Sequence, residues 1–196
     1  MARHRAAAIG ESGVVGSCLW QWLRGAGLER FELLREGDGW LLRGTILAGG
    51  EGGPFEARYT VACDAAWCTR KVGITLRSAG VSRAVSILVD AGRWVVAGRE
   101  VTEVRGAIDI DLSWSPSTNT LPIRRLQPDV GESTGSVVAA WLRFPHLSLE
   151  PLPQEYRRLS ESRYQYSSRG GAFNALLEVD AQGLVIDYEG AWRQVT

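Results

Sequence analysis

Two carboxylates and two guanidinium groups stand close together in the sequence between residues 109 and 126. Asp109 and Asp111 are two residues apart, so on an extended strand both side chains point to one face. A pair of carboxylates in a partly dry pocket can hold two different pKa values and act as acid and base. Arg124 and Arg125 end the segment and could pair with these acids or hold a polar ligand. The segment therefore favours either an ion-pair network or a polar binding site.

A second candidate group combines arginine with aromatic residues. Arg58 precedes Tyr59, and Trp67 lies three residues before Arg70. A guanidinium group can pair with a carboxylate and also stack on an aromatic face. We therefore expect Arg58 and Arg70 to be the partners of the two aspartates. An ion-pair network that only fixes the register of neighbouring strands is the alternative.

The acidic segment itself predicts a hairpin. Residues 108–114 alternate charged and apolar side chains as a strand does, residues 115–120 contain turn formers, and residues 123–126 resume the extended pattern. Charge packed beside Trp114 is unusual on a plain surface hairpin. A solvated hairpin with salt bridges at its rim is the alternative.

Short extended runs broken by glycine and polar turns continue along most of the chain, which predicts a mainly β protein. We expect an antiparallel sheet curled into an incompletely closed barrel, built from two repeat-like halves with a few short helices. One-turn helices are predicted near residues 63–67 and 154–159. The predicted strands are 19–23, 31–35, 40–47, 55–62, 70–77, 82–89, 93–97, 108–114, 123–126, 137–144, 164–167, 173–179 and 184–188.

An internal repeat is the basis for the two halves. Tyr59 and Tyr156 each precede another aromatic residue by eight positions. A Val-Asp-Ala run followed by glycine recurs in residues 88–96 and 178–186, where it predicts matching hairpins. Chance similarity is the alternative, because aspartate and glycine suit tight turns in any fold.

The repeat sets the expected domain organisation. Residues 1–16 are predicted to be a disordered or tag-like tail, and residues 17–196 a single β-rich domain. Its halves would span about 28–100 and 121–192, which places the acidic segment near their seam. Pockets commonly lie where matched units meet.

Charge and cysteine content exclude several classes of function. The 22 basic and 22 acidic residues balance, so general attraction to nucleic acid or an anionic membrane is missing. The 3 cysteines show no CxxC spacing, which fits neither a disulfide framework nor a zinc site. No apolar run reaches the roughly 18 residues of a membrane span, and the basic start lacks a signal-peptide core. We expect a cytoplasmic protein with no membrane span, metal or cofactor.

Several motifs together resemble the putative glycolipid-binding protein family. The most specific is the block Asn-Thr-Leu-Pro-Ile-Arg-Arg-Leu at residues 119–126, and the similarity extends from about Trp20 to Trp192. The resemblance implies a β half-barrel similar to the bacterial lipoprotein-localisation factors, whose concave sheet holds acyl chains. The other residues that carry it are Arg58, Tyr59, Asp64, Trp67, Thr69, Arg70, Asp109, Asp111, Pro116, Gln154, Tyr156, Tyr164, Tyr166, Phe173, Asp180, Gly183, Asp187 and Tyr188.

The leading hypothesis is a binding protein for a glycolipid or similar amphiphile, held in the concave face of the half-barrel. Tyr59, Gln154 and Tyr156 complete the candidate ligand-binding set. The apolar walls would come from Trp67, Trp114, Tyr164 and Tyr166. The polar head would be held by Arg58, Arg70, Asp109, Asp111, Asn119, Arg124 and Arg125.

Two alternatives stay open at the level of sequence. One is an enzyme that uses Asp109 and Asp111, or one of them with Tyr156, as acid and base on a small metabolite. No nucleophile supports it, because the G-x-S-x-G pattern around Ser133 has no acid before His146 and precedes a strand. The other is a structural module, in which the charged residues join the half-sheets or a homodimer and the aromatic residues fill the core.

Overall fold

The computed structural model describes residues 13–50 and 53–196, and these residues form one large, mainly antiparallel sheet with one short α-helix. This confirms the predicted fold class. The helix, α1, spans Thr120–Leu126. The strands are β1 (Gly13–Trp22), β2 (Gly27–Glu36), β3 (Gly39–Gly50), β4 (Gly53–Cys63), β5 (Thr69–Ser78), β6 (Val81–Asp90), β7 (Arg93–Val96), β8 (Arg99–Glu100), β9 (Ile110–Leu112), β10 (Val137–Arg143), β11 (Ser148–Arg158), β12 (Arg163–Ser168), β13 (Phe173–Val179), β14 (Val185–Tyr188) and β15 (Trp192–Gln194).

Two antiparallel runs of strands meet at the pair β1 and β15. From β1 the sheet continues in chain order to β8, and from β15 it continues in reverse order to β10 and then β9. β9 runs parallel to β10, whereas the other pairs are antiparallel. Among the described strands, β8 and β9 end the sheet and do not pair, so it does not close into a barrel.

Buried and exposed side chains alternate along the strands, so one face of the sheet is directed toward the core. In β4, Ala57, Tyr59 and Val61 are buried while Arg58 and Thr60 are exposed. Buried residues from both runs of strands belong to one apolar cluster, so the sheet curls around a shared core. Each large side chain buried in this way contributes about 1.5–3 kcal/mol to folding.

The predicted hairpin in the acidic segment is wrong. Ser117–Asn119 form a 3-10 turn that continues directly into α1, in place of the strand expected at 123–126. Leu121 and Ile123 are both buried, and their two-residue spacing looked like strand alternation. Pro122 fits because it stands in the first turn, where its missing N–H has no partner to lose.

Both predicted one-turn helices are also wrong. Residues 154–158 belong to β11, where Gln154 and Tyr156 are buried and Glu155 and Arg157 are exposed. The other segment is a turn after β4, in which Trp67 has a φ of +66°. The sequence prediction missed β11 because Pro151 and Pro153 argue against a strand, yet both lie on its exposed side.

The remaining predicted strands each overlap an observed one. Of the predicted tail, residues 1–12 lie outside the described residues. Residues 13–16 form the beginning of β1. Whether the two runs of strands are halves of a repeat stays a prediction. In the described part of the chain, no helix combines the length and apolar character needed to cross a membrane.

Candidate functional site

A cavity of about 390 Å³ lies between β9 and β10 on one side and β12 to β15 with the end of β1 on the other. Its wall combines aromatic and polar groups in similar amounts. The aromatic members are Trp22, Trp141, Tyr166, Phe173, Tyr188 and Trp192. The polar members are Asp111, Ser113, Ser115, Asn119 and Ser168, with Arg24 and Arg169 as the basic ones.

Strand pairing brings the aromatic side chains together. Trp22 of β1 is the register partner of Trp192 in β15, and their rings stack with centroids 6.3 Å apart. Tyr166 lies 6.0 Å from Phe173 and 6.1 Å from Tyr188, with nearly perpendicular rings. These residues come from distant parts of the chain, so the wall exists only after the sheet has assembled.

A hydrogen-bonded network of polar side chains holds the acid of the cavity. Gln154 donates from Nε2 to Asp111 Oδ2 over 2.5 Å and to the Tyr166 hydroxyl over 3.1 Å. Behind it, Tyr156 donates its hydroxyl proton to Asn119 Oδ1 over 2.9 Å. Burial raises the pKa of Asp111 to about 6, against the opposing effect of the Gln154 hydrogen bond. Asp111 is therefore mainly ionised at neutral pH and can accept a hydrogen bond from a ligand hydroxyl.

A second acid lies on the core side of the same wall. Glu29 Oε1 accepts hydrogen bonds from the Tyr59 hydroxyl over 2.5 Å and from Ser115 Oγ over 2.8 Å. The Tyr59 hydroxyl also lies 2.7 Å from Ser117 Oγ. Complete burial raises the pKa of Glu29 to about 8, so this side chain is mainly neutral at pH 7. Ser115 connects this network to the cavity that it also lines.

Asp109 is held by an ion pair with the helix and not by the predicted arginines. Arg125 donates from Nη2 to Oδ2 over 2.5 Å and from Nε to Oδ1 over 3.2 Å, and the two side chains are 14% and 5% exposed. Burial raises the pKa of Asp109, while Arg125 acts in the opposite direction. The two aspartates therefore have separate partners and do not share one proton.

The predicted pairing of Arg58 and Arg70 with the aspartates is wrong. Arg58 Nε lies 2.9 Å from Glu56 Oε1, and Arg70 Nη2 lies 2.6 Å from Asp64 Oδ2. Both arginines are exposed, because strand alternation places their neighbours Tyr59 and Thr69 inside instead. They therefore point away from the cavity.

The chain is similar to known proteins along most of its length. A family model described as "Putative glycolipid-binding" matches residues 17–194. The chain belongs to this family. The crystal structure of a DUF1089 family protein from Pseudomonas aeruginosa, at 1.80 Å resolution, is 31% identical and covers 100% of both chains, with a TM-score of 0.77. No match is found among curated proteins. At the level of the family, the description supports a binding role.

Within this member of the glycolipid-binding family, the structure separates the predicted site residues into three groups. Asp111, Asn119 and Tyr166 line the cavity, and Gln154 and Tyr156 stand directly behind it. Tyr59 contacts Ser115 of the cavity wall from the core. The others lie elsewhere, and they are Arg58, Trp67, Arg70, Asp109, Trp114, Arg124, Arg125 and Tyr164.

The aromatic residues of that last group serve the core. Trp67 stacks on Trp40 with ring centroids 4.3 Å apart. The guanidinium group of Arg124 lies over the Trp67 ring, 5.4 Å from its centroid. Trp114 is buried beside Phe144 at 5.6 Å. Arg124 makes no ion pair among the described residues, so of the two arginines that could pair with the aspartates only Arg125 does so.

Two aromatic residues of the cavity wall, and Glu29 on its core side, were not predicted from the sequence. Trp22 and Trp192 meet only through the β1 and β15 pairing, which no local pattern indicates. Glu29 had a visible signal, because it alternates with Phe31 and Leu33 on the inward face of β2. An acid in such a series is a candidate for a perturbed pKa.

Proposed function

We propose that this member of the glycolipid-binding family binds an amphiphile whose sugar head occupies the cavity beside Asp111. The observation that carries the proposal is the meeting of an aromatic wall with the Asp111, Gln154 and Tyr166 network in one cavity. A sugar ring presents apolar C–H faces and polar hydroxyls at once, so it needs both kinds of surface. The family description is consistent with a lipid-like ligand.

The size and chemistry of the cavity favour a head group over an acyl chain. A volume of about 390 Å³ is near the lower end of small-molecule sites, which suits a single sugar ring. An acyl chain alone would displace water from the Asp111 carboxylate and donate no hydrogen bond in its place, which leaves Gln154 as its single donor among the described residues. Neutral, hydroxyl-bearing groups can satisfy an ionised carboxylate and an amide together.

Titration with n-octyl β-D-glucoside below its micelle concentration tests this proposal. Trp22, Trp141 and Trp192 line the cavity, so intrinsic fluorescence should change in a saturable way on binding. Trp141→Leu removes a stacking surface and Asp111→Asn removes the charged acceptor, and each should weaken binding by about 10-fold. Arg99→Gln, on exposed β8, is the matched control and should bind as the unchanged protein does.

Two results would overturn the proposal. One is the absence of saturable binding by the folded protein. The other is saturable binding with the same affinity in Trp141→Leu and Asp111→Asn, because the probe would then occupy a different place.

A further inference from the structure

Two arginines stand at the wall of the cavity without acidic partners. Arg24 follows β1, and its Nε donates to the Gly190 carbonyl over 2.7 Å. Arg169 follows β12 and lies over the ring of Trp141, with its guanidinium carbon 4.9 Å from the ring centroid. Neither forms an ion pair within the ranges 13–50 and 53–196, and both line the cavity. Their charge is therefore available to a ligand.

Both charges reach the same aromatic cluster. Arg24 lies over Phe173 at 6.0 Å, and Phe173 lies 6.0 Å from Tyr166 and 6.4 Å from Tyr188. Burial raises the pKa of Tyr166 and of Tyr188, and Arg169 opposes the rise at Tyr166 while Arg24 opposes it at Tyr188. The two guanidinium groups thus act on one side of the cavity from different strand ends.

The backbone at Arg169 is a second, independent observation. Arg169 has a φ of +54°, and Gly170 and Gly171 follow with φ of +64° and +88°. A left-handed conformation costs an L-residue with a Cβ roughly 1 kcal/mol, which glycine avoids. A non-glycine residue held in this region is a reason to look for a role of its side chain. Here the turn places the guanidinium group against Trp141 in the cavity wall.

The cavity has an acidic inner end and a basic outer end. Asp111 is half-buried and held by Gln154, whereas Arg24 and Arg169 are exposed at the outer side. A ligand with hydroxyls toward Asp111 and a negative group toward the arginines would match both ends. The chain as a whole is formally neutral, so this is a local feature and not a general attraction to anions.

We propose that the ligand carries an oxyanion, such as a sugar carboxylate or a phosphate ester, which pairs with Arg24 and Arg169. This inference rests on the proposed function and narrows its ligand to an anionic sugar head. Charge-assisted hydrogen bonds from a guanidinium group fix both the orientation of such a group and part of its affinity.

The test compares n-octyl β-D-glucuronide with n-octyl β-D-glucoside. The two probes share the pyranose ring and the octyl tail, but the glucuronide has a carboxylate where the glucoside has a hydroxymethyl group. The unchanged protein should bind the glucuronide about 10-fold or more tightly at low ionic strength, and sodium chloride should reduce the difference. Arg24→Gln and Arg169→Gly should each lower the ratio, and the double variant should bring it close to one. Arg99→Gln should keep the full ratio.

Arg169→Gly keeps the test independent of folding. Glycine suits the positive φ at this position, so its melting temperature should equal or exceed that of the unchanged protein. A lost preference for the glucuronide in a protein of undiminished stability would then report the missing guanidinium group.

The outcomes separate the two proposals. Equal affinity of the unchanged protein for both octyl probes would overturn the oxyanion site and leave the amphiphile proposal standing. Failure of both probes to bind would overturn the proposed function and this inference with it. Sodium glucuronate and inorganic phosphate complete the series, and either binding as tightly as the octyl glucuronide would support the oxyanion site but reject the amphiphile.

Discussion

Gly44 in β3 lies directly opposite Tyr59 in β4, and the Tyr59 ring covers the place where a side chain at residue 44 would stand. A Cβ added at Gly44 would overlap the Tyr59 ring and its hydroxyl. This glycine therefore lets the Tyr59 hydroxyl reach Glu29 and Ser117 in the core.

Gly44→Ala should destabilise the fold by about 2–3 kcal/mol, because overpacking a full core forces neighbouring side chains away. Chemical denaturation measures the loss, and near-UV circular dichroism should report a displaced tyrosine. Gly50→Ala in the same strand is the control, since none of the described residues lies within 4 Å of its added Cβ, and its effect should stay within about 0.5 kcal/mol. Equal effects of the two substitutions would contradict this account of Gly44.

Glu29→Gln should remove a fall in stability between acidic and mildly alkaline pH. Because burial raises the pKa of Glu29 from 4.5 to about 8, its stabilising effect is complete below the unfolded pKa, is lost as pH rises between the two values, and is gone above the folded one. Between pH 5 and pH 9 this group should cost the unchanged protein about 4 kcal/mol, and Glu29→Gln should avoid that cost. Melting curves across this range measure the difference, with exposed Glu36→Gln from the same strand as control. Parallel curves for Glu29→Gln and the unchanged protein would show that Glu29 is not buried as described.

Asp111→Asn should also remove a loss of stability with rising pH, and this loss should occur at lower pH than the one due to Glu29. Burial raises the pKa of Asp111 to about 6, so ionisation costs stability as pH rises from about 4 to above 6. The asparagine variant keeps an acceptor for Gln154 and should gain about 2 kcal/mol relative to the unchanged protein between pH 4 and pH 7.5. Urea unfolding at both pH values measures the gain, and exposed Asp129→Asn should show none. A gain that is already complete at pH 4 would contradict the assignment to ionisation.

Arg125→Ala should be among the more damaging substitutions of a charged residue. It leaves Asp109, whose side chain is 5% exposed, as an unpaired buried charge, which costs about 3–5 kcal/mol. Arg193→Ala breaks the pair with Asp187 at a side chain 61% exposed and should cost less than about 1 kcal/mol. Denaturation of both variants makes the comparison, and adding Asp109→Asn to Arg125→Ala should recover part of the loss. Without such recovery, the cost would belong to packing and not to charge.

Local alternation predicted which residues face inward, and it did so well where strands are regular. Tyr164 and Tyr166, on the predicted strand 164–167, were expected to form an inner wall, and both are buried. The pairing of charges was predicted wrongly for Asp109, because its partner depends on a helix that turns Arg125 back toward β9. That helix was hidden by the burial of both Leu121 and Ile123, which erased the helical period.

The cavity was harder to predict because its wall joins the beginning of the described chain to its end. Trp22 and Trp192 are register partners, and Arg24 bonds to Gly190, yet no sequence pattern announces either contact. The family match confirms the predicted family. The cytoplasmic location, the likeness to lipoprotein-localisation factors and the homodimer stay predictions.

Ser115 lines the cavity and also donates a hydrogen bond to Glu29. This hydrogen bond connects the cavity to the buried carboxyl group in β2. A ligand that engages the Ser115 hydroxyl competes with the Glu29 carboxyl for its single proton. Glu29 would then keep only the hydrogen bond from Tyr59, and its own proton would be held more firmly. Occupancy of the cavity is thereby linked to proton uptake at Glu29 in β2, a carboxyl group that no ligand in the cavity has to touch.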